Sequence, residues 1–241
     1  MYAVLSDIHG NYHALKNVVK DMSHYDVEGI ILLGDLIDYG MQSNEVVRFI
    51  RDECKNKIIC NIWGNHERAI IEQDYEHFSS QRGVDCAKYT RSLLEDDVIS
   101  YLRDEMVNEG IYEFHIKGSK ILSVHGSLDD HYWKAVMPND VRGEYNYYDI
   151  VFSGHSHYSH MFTKFYEADD LKRRNKHAVL FINPGSVGQP RNRNPNSQYV
   201  LFDSVNRNIF FRSVKYDIDA AMRLYDGSVD FFYRDRLKYG V

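Results

Sequence analysis

At 241 residues, with 44% apolar and 27% charged side chains, the chain has the composition of a globular protein and the length to organise one large core. Its 29 Lys and Arg against 35 Asp and Glu leave a formal charge of −6, which argues against general nucleic-acid binding driven by phosphate neutralisation. Cys54, Cys60 and Cys86 lack any C-x-x-C spacing, no apolar run reaches the length of a membrane span, and the N-terminus has no basic signal-like region; the expectation is a single domain over residues 1–241, in the cytoplasm, with neither disulfides nor a thiolate zinc site.

The first stretch, Val4 to Asn11, reads VLSDIHGN, an apolar run that stops at an aspartate followed by a histidine and a glycine turn. In an extended segment residues i and i+2 share a side, so Asp7 and His9 are expected to aim a carboxylate and an imidazole at one point past a strand near Met1 to Leu5. Leu15, Val18, Val19 and Met22 form the apolar stripe of a helix over Tyr12 to Met22. Gly29 to Leu33 is a second buried strand, again ending at an acid, Asp35. Ser43 is placed to cap a helix carrying Val46, Val47, Phe49 and Ile50. Lys57 to Ile62 reads as a third strand, delivering Gly64-Asn65-His66-Glu67.

Glu67 to Met106 is helical in pattern, with Leu93, Leu94, Val98 and Leu102 three to four apart, and no chemistry is assigned to it. Tyr112 to Ile116 and Lys120 to Val124 make a hairpin that exits at His125. Residues 127–148 are polar, aromatic and rich in turn formers, so they read as a long loop or small cap; loops of that length are more often functional than idle. Asp149 to Phe152 leads to Gly154-His155-Ser156-His157, Ala178 to Ile182 leads to Asn183-Pro184-Gly185-Ser186, and Gln198 to Asp203 pairs with Asn208 to Val214. A last helix starts near Asp217, with Ala220, Ala221 and Leu224, and residues 228–241 read as a charged aromatic tail. The alternation of strand and helix predicts an α/β class with ligands at the carboxyl ends of the strands.

Separate strands therefore end in Asp7 with His9, Asp35, Asn65 with His66, His125, and His155 with His157. Apart from His66, these supply imidazole nitrogens and carboxylate or amide oxygens and no thiolate, the donor set for Mn²⁺, Fe or Zn²⁺ acting as Lewis acids. They are too many for one tetrahedral ion. With one carboxylate shared they divide into two sites, and two ions about 3.5 to 4 Å apart are the recurring device for clamping a phosphoryl group.

The motifs D-x-H, G-D, G-N-H, a lone His and G-H-x-H, in that order, resemble those of the calcineurin-like metallophosphoesterases, from residue 1 to about residue 216. The run INPGSVGQPR at Ile182 to Arg191, with DYG at Asp38 to Gly40, is similar to the bacterial and archaeal branch of small single-domain phosphodiesterases; Met41 and Gln42 depart from it where that branch reads a proline after the glycine. The resemblance implies a four-layer α/β/β/α sandwich of two mixed sheets flanked by helices. It implies one metal held by Asp7, His9 and His157, a second held by Asn65, His125 and His155, and Asp35 between them. His66 resembles the family's catalytic histidine beside the leaving-group oxygen.

The implied cofactors are two divalent metal ions, Mn²⁺ preferred, with Fe, Zn²⁺, Ni²⁺, Co²⁺ or Mg²⁺ as alternatives. The implied reaction is hydrolysis of a phosphodiester, or a phosphomonoester, by in-line attack of a metal-bridging hydroxide on a small phosphoester or nucleotide. A dinucleoside polyphosphate hydrolase and a protein phosphatase share that centre, and some members of the superfamily that have lost ligands serve as protein-interaction modules. Among the remaining residues Arg191 is the candidate for gripping phosphate oxygens, with Arg193 behind it. Asp38 resembles a residue that orients ligands without touching metal. His131 and Trp133 stand out near the metals, and the basic run at 171–176 reads as a solvated hairpin tip.

Overall fold

A computed structural model describes residues 1–241. In chain order the elements are β1 (Tyr2–Leu5), α1 (Tyr12–Met22), β2 (Gly29–Leu32), α2 (Ser43–Phe49), β3 (Ile58–Asn61), α3 (Asn65–Glu72), α4 (Gln81–Leu93) and α5 (Asp96–Asp104). They continue with β4 (Ile111–Ile116), β5 (Ser119–Val124), β6 (Ile150–Ser153), β7 (His160–Glu167), β8 (Lys176–Asn183), β9 (Ser197–Asp203), β10 (Asn208–Val214), α6 (Ile218–Met222) and α7 (Phe231–Tyr239).

The strands form two mixed five-stranded sheets, β10-β9-β1-β2-β3 and β4-β5-β6-β8-β7. The parallel strands are β1, β2 and β3, running to one edge of the first sheet, and β5, β6 and β8, at the centre of the second. Parallel strands flanked on both faces read as unbroken apolar runs, and the burial of β1 and β2 shows why. Ala3, Leu5, Ile30 and Leu32 face the helices, whereas Val4, Ile31 and Leu33 face the second sheet. There they meet Ile121, Phe152 and Ile182, with the Phe152 and Phe202 rings 5.9 Å apart and near perpendicular. Each such side chain contributes about 1.5–3 kcal/mol by leaving water.

Helices α1 to α5 cover the outer face of the first sheet. The outer face of the second is covered by residues 127–148, whose Tyr145 packs edge-on against Phe181, so this fourth layer is built by a loop. Asn11 caps α1 by accepting from the Ala14 N–H.

Several local expectations change. Ser43 lies inside α2 and accepts from the Asp38 N–H instead of capping the helix. The 67–106 region is three helices, separated by an irregular segment at 73–80 and a short turn at 94–95. Strand β7, unrecognised in sequence because its polar and aromatic residues mask the alternation, pairs antiparallel with β8, and the basic run joins them. Residues 228–241 are not an extended tail: Asp230 caps α7, which buries Tyr233 and Leu237 against Cys86 and Ala221. The three cysteines are free and buried, and no helix is long and apolar enough to cross a membrane.

Candidate metal centre

The side chains singled out in sequence meet in one place, because both sheets end their parallel strands at the same edge. Asp7 and His9 follow β1, Asp35 follows β2, Asn65 and His66 open α3 after β3, His125 follows β5, and His155 and His157 follow β6. The turn that aims them is not extended backbone. Asp7, His9, Asp35, His155 and His157 all have positive φ, between 47° and 63°. Non-glycine residues in the left-handed region are costly and cluster at functional sites. Asp7 and His9 thus converge through a tight turn, not through strand alternation.

Close backbone approach makes this possible at two glycines. Gly34 has φ 89°, and a Cβ there would stand 2.3 Å from the Gly64 nitrogen; a Cβ on Gly64 would stand 2.1 Å from Asp35 Oδ1. The β2 and β3 exits therefore touch where only hydrogen fits. Glu67, to which sequence reasoning gave no role, ties them together. Its fully buried carboxylate accepts from the backbone N–H groups of Gly64 (2.8 Å), Asp35 (2.8 Å) and Leu36 (2.7 Å). The signal was present in the spacing, an acid three residues after Gly64, the residue that caps α3.

The Ile182–Arg191 run braces the centre from behind. Val187 and Gly188 donate backbone N–H groups to Ser6 and Asp7 carbonyls, and Ser186 Oγ donates to the Asp7 carbonyl at 2.7 Å. Asn183 Nδ2 donates to the Gly154 carbonyl at 2.7 Å, holding the G-H-x-H turn.

Donor atoms of Asp7, His9, Asp35 and His157 lie within 4.8 Å of one another, and so do those of Asp35, His125 and His155, so Asp35 is common to both groups. Asn65 Oδ1 joins the second group, 2.9 Å from His125 Nε2 and 3.0 Å from His155 Nδ1. Imidazole Nδ1 atoms rest against backbone carbonyls: His9 on Ile37 at 3.2 Å, His157 on Gln189 at 2.7 Å, His125 on Leu33 at 2.6 Å. For His9 and His157 this puts the proton on Nδ1 and turns the Nε2 lone pairs inward.

The Nε2 atoms of His9 and His157 then face each other at 3.2 Å with no proton between them. Burial holds both imidazoles well below their ordinary pKa, so they are neutral. Both Asp7 carboxylate oxygens are buried with no hydrogen-bond partner, and burial pushes that group up to about 7. Burial would disfavour charge on His125, but Asp35 outweighs it and pushes the imidazole up to about 9. Unpartnered carboxylate oxygens and opposed lone pairs are arrangements that a bound cation resolves; the donor set fits divalent metal.

His66 stands beside this cluster. Its Nδ1 is 2.7 Å from Asp38 Oδ2 and its Nε2 is 4.0 Å from Asp35 Oδ2. Burial opposes its charged form, but Asp35 and Asp38 raise its pKa. Asp38 orients this imidazole and contacts none of the clustered donors. In front opens a cleft of about 320 Å³, lined by Asp35, Asn65, His66, His155, His157 and Arg191, with Tyr39, His77, Phe78, Ser79 and Trp133 completing the wall. Arg191 is half-buried with its Nε unpartnered. Trp133 reaches the cleft, whereas His131 turns to the Glu109 carbonyl, and the Arg193 backbone is tied to Gly240. His77, Phe78 and Ser79 come from the region to which no chemistry was assigned; their polar and aromatic types carry no periodic signal.

Comparison with known proteins places the chain in a family and a fold. An uncharacterized protein of Methanocaldococcus jannaschii is 32% identical over 228 residues, covering 92% of this chain and 90% of that protein. A metallophosphoesterase from Sphaerobacter thermophilus superposes with a TM-score of 0.74 at 23% identity, covering 100% of this chain and 98% of the other. A hypothetical protein of Pyrococcus horikoshii gives 0.78 at 20% identity over 100% and 99% of the two chains. At such identities these structures share the fold. The family model described as the calcineurin-like phosphoesterase superfamily domain matches residues 1–207, and the chain belongs to that superfamily.

Proposed function

We propose that the protein is a dinuclear metal-dependent phosphoric ester hydrolase that prefers phosphodiesters. Asp7, His9 and His157 would hold one ion, Asn65, His125 and His155 the other, and Asp35 would bridge them. Mn²⁺ is taken as the preferred ion among those that nitrogen and oxygen donors without thiolate accept, which include Fe and Zn²⁺. When bound, such ions supply Lewis-acid charge that neutralises phosphoryl oxygens and acidifies water. The observation that carries this reading is the Asp7 carboxylate, buried with both oxygens unpartnered beside opposed imidazole lone pairs.

The chain's own residues supply the rest. In the cationic form that Asp35 and Asp38 favour, His66 donates Nδ1–H to Asp38 and carries a second proton, at Nε2, for the departing oxygen in the cleft that it lines. Arg191, which lines the cleft, offers its planar guanidinium to phosphoryl oxygens. It is the sole Lys or Arg lining the cleft, so few side chains are devoted to a small monoester, which is the ground for preferring a diester.

The test is turnover by Mn²⁺-reconstituted protein of bis-p-nitrophenyl phosphate, p-nitrophenyl phosphate and a dinucleoside tetraphosphate. The diester is expected to be cleaved fastest, with His66→Ala and Asp35→Asn each losing at least about 100-fold in kcat. Turnover by Asp35→Asn equal to wild type would sink the mechanism, and a faster monoester would reverse the preference.

A further inference from the structure

The cleft has two chemically different halves. One is the polar cluster with Arg191. The other, on the His66 side, is aromatic: Phe78 meets the His66 ring at 5.3 Å and near 69°, Trp133 meets Phe78 at 5.5 Å and 80°, and His77 lies against Trp133 at 5.4 Å with planes tilted by 30°. These rings come from two remote loops, between α3 and α4 and within residues 127–148, that close on one spot. Phe78 and Trp133 are half-buried, anchored on the core beneath, while His77 and Ser79 are exposed. All three rings line the cleft beside the charged cluster, and aromatic surface exposed to a polar cleft is the kind that ligand sites use.

Resting on the hydrolase reading above, we propose that Phe78, Trp133 and His77 are a stacking subsite for a nucleobase on the leaving-group side, so that the substrate is a nucleotide ester. The position follows from His66: the group it protonates leaves along the side of the cleft that these rings occupy. Aromatic faces accept any base by stacking, and the exposed Ser79 hydroxyl beside them offers a hydrogen bond to a polar ring edge. A volume of about 320 Å³ lies at the small end of ligand pockets and suits one nucleotide unit.

The experiment is calorimetric binding to the full-length Mn²⁺-loaded protein, which needs no turnover. The probes are adenosine 5′-monophosphate, ribose 5-phosphate and phenyl phosphate, which share a phosphate but differ in what it carries. Adenosine monophosphate is expected to bind about tenfold more tightly than ribose 5-phosphate, in keeping with the worth of one base stack. Trp133→Ala should erase that gap while leaving ribose 5-phosphate affinity unchanged, which also shows that the variant is folded, and Trp133→Phe should restore most of it.

Equal binding of adenosine monophosphate and ribose 5-phosphate would overturn the subsite. Phenyl phosphate matching adenosine monophosphate would overturn the nucleobase assignment in favour of a small aryl group. A base preference that survives in Trp133→Ala would remove Trp133 from the site and the proposal with it. A protein that shows the base preference yet cleaves no ester would support the subsite and defeat the hydrolase reading, so the two failures are distinguishable.

Discussion

Behind His66 lies a relay of side chains that reaches into α4. Asp38 is fully buried and gives Oδ2 to His66 Nδ1, while its Oδ1 accepts from Thr90 Oγ1 at 2.7 Å and from the Cys86 thiol at 3.2 Å. Burial and Asp38 push the Cys86 thiol up, so it stays a donor. Hydrogen bonds to a charged acceptor are worth about 1.5–3 kcal/mol, more than neutral ones. Thr90 is therefore a positioning residue for the imidazole. Thr90→Val is expected to lower kcat about tenfold with little change in KM, and Thr90→Ser to recover it. The loss should be larger for alkyl than for p-nitrophenyl leaving groups, because a stable phenolate needs no proton. A loss of equal size on both would show that Thr90 serves stability alone.

At the scale of elements, the fold depends on how α1 is fastened to the first sheet. Asp21, near the end of α1, accepts from Arg212 Nη2 at 2.9 Å and Nε at 3.1 Å on β10, and from Tyr199 Oη at 2.7 Å on β9. Burial alone would raise its pKa, but the Arg212 and Tyr199 hydrogen bonds outweigh it and hold the carboxyl below its ordinary value. A folded-state pKa below the unfolded one contributes stability above the unfolded value of about 3.9, and that contribution is lost as pH falls through the folded value. Asp21→Asn should cost about 1 kcal/mol at pH 7, and urea melts should show the gap closing in acid. A gap that held constant below pH 3 would exclude the charge as its source. Helix α7 acts on the site itself: Tyr233 stacks on Tyr39 at 4.4 Å, and Tyr39 packs against the His9 and His66 rings, each at 4.5 Å.

For the whole molecule, the centre is a cost to folding unless a cation fills it. Two sheets and seven side chains converge on buried carboxylates, one of them, Asp7, without partners. A ligand bound only by the folded state stabilises it by mass action, about 2.7 kcal/mol at a hundred times Kd. Chelation should accordingly lower Tm by roughly 5–10 °C and Mn²⁺ should restore it. Asp7→Asn should shrink this shift and, in chelator, melt above the wild type, because it removes a buried carboxylate whose oxygens have no hydrogen-bond partner. Calorimetry that found wild type and variant equally responsive to Mn²⁺ would count against Asp7 as a ligand.

The sequence by itself determined the parallel strands, the polar residue at each strand end and the superfamily, because these are local: an apolar run, a turn and a spacing are all written in neighbouring residues. The α/β class followed from alternation, and the site residues from motifs that stop where strands stop. Tertiary structure alone decided the left-handed turns that aim Asp7, His9 and Asp35, the role of Glu67 in lashing two strand exits together, and the pairing of Asp38 with His66 and Thr90. It also decided the aromatic wall, since His77 and Phe78 lie more than fifty positions before Trp133 and share no period with it. Contacts between distant segments cost chain entropy that only the assembled core offsets. No local pattern announces them.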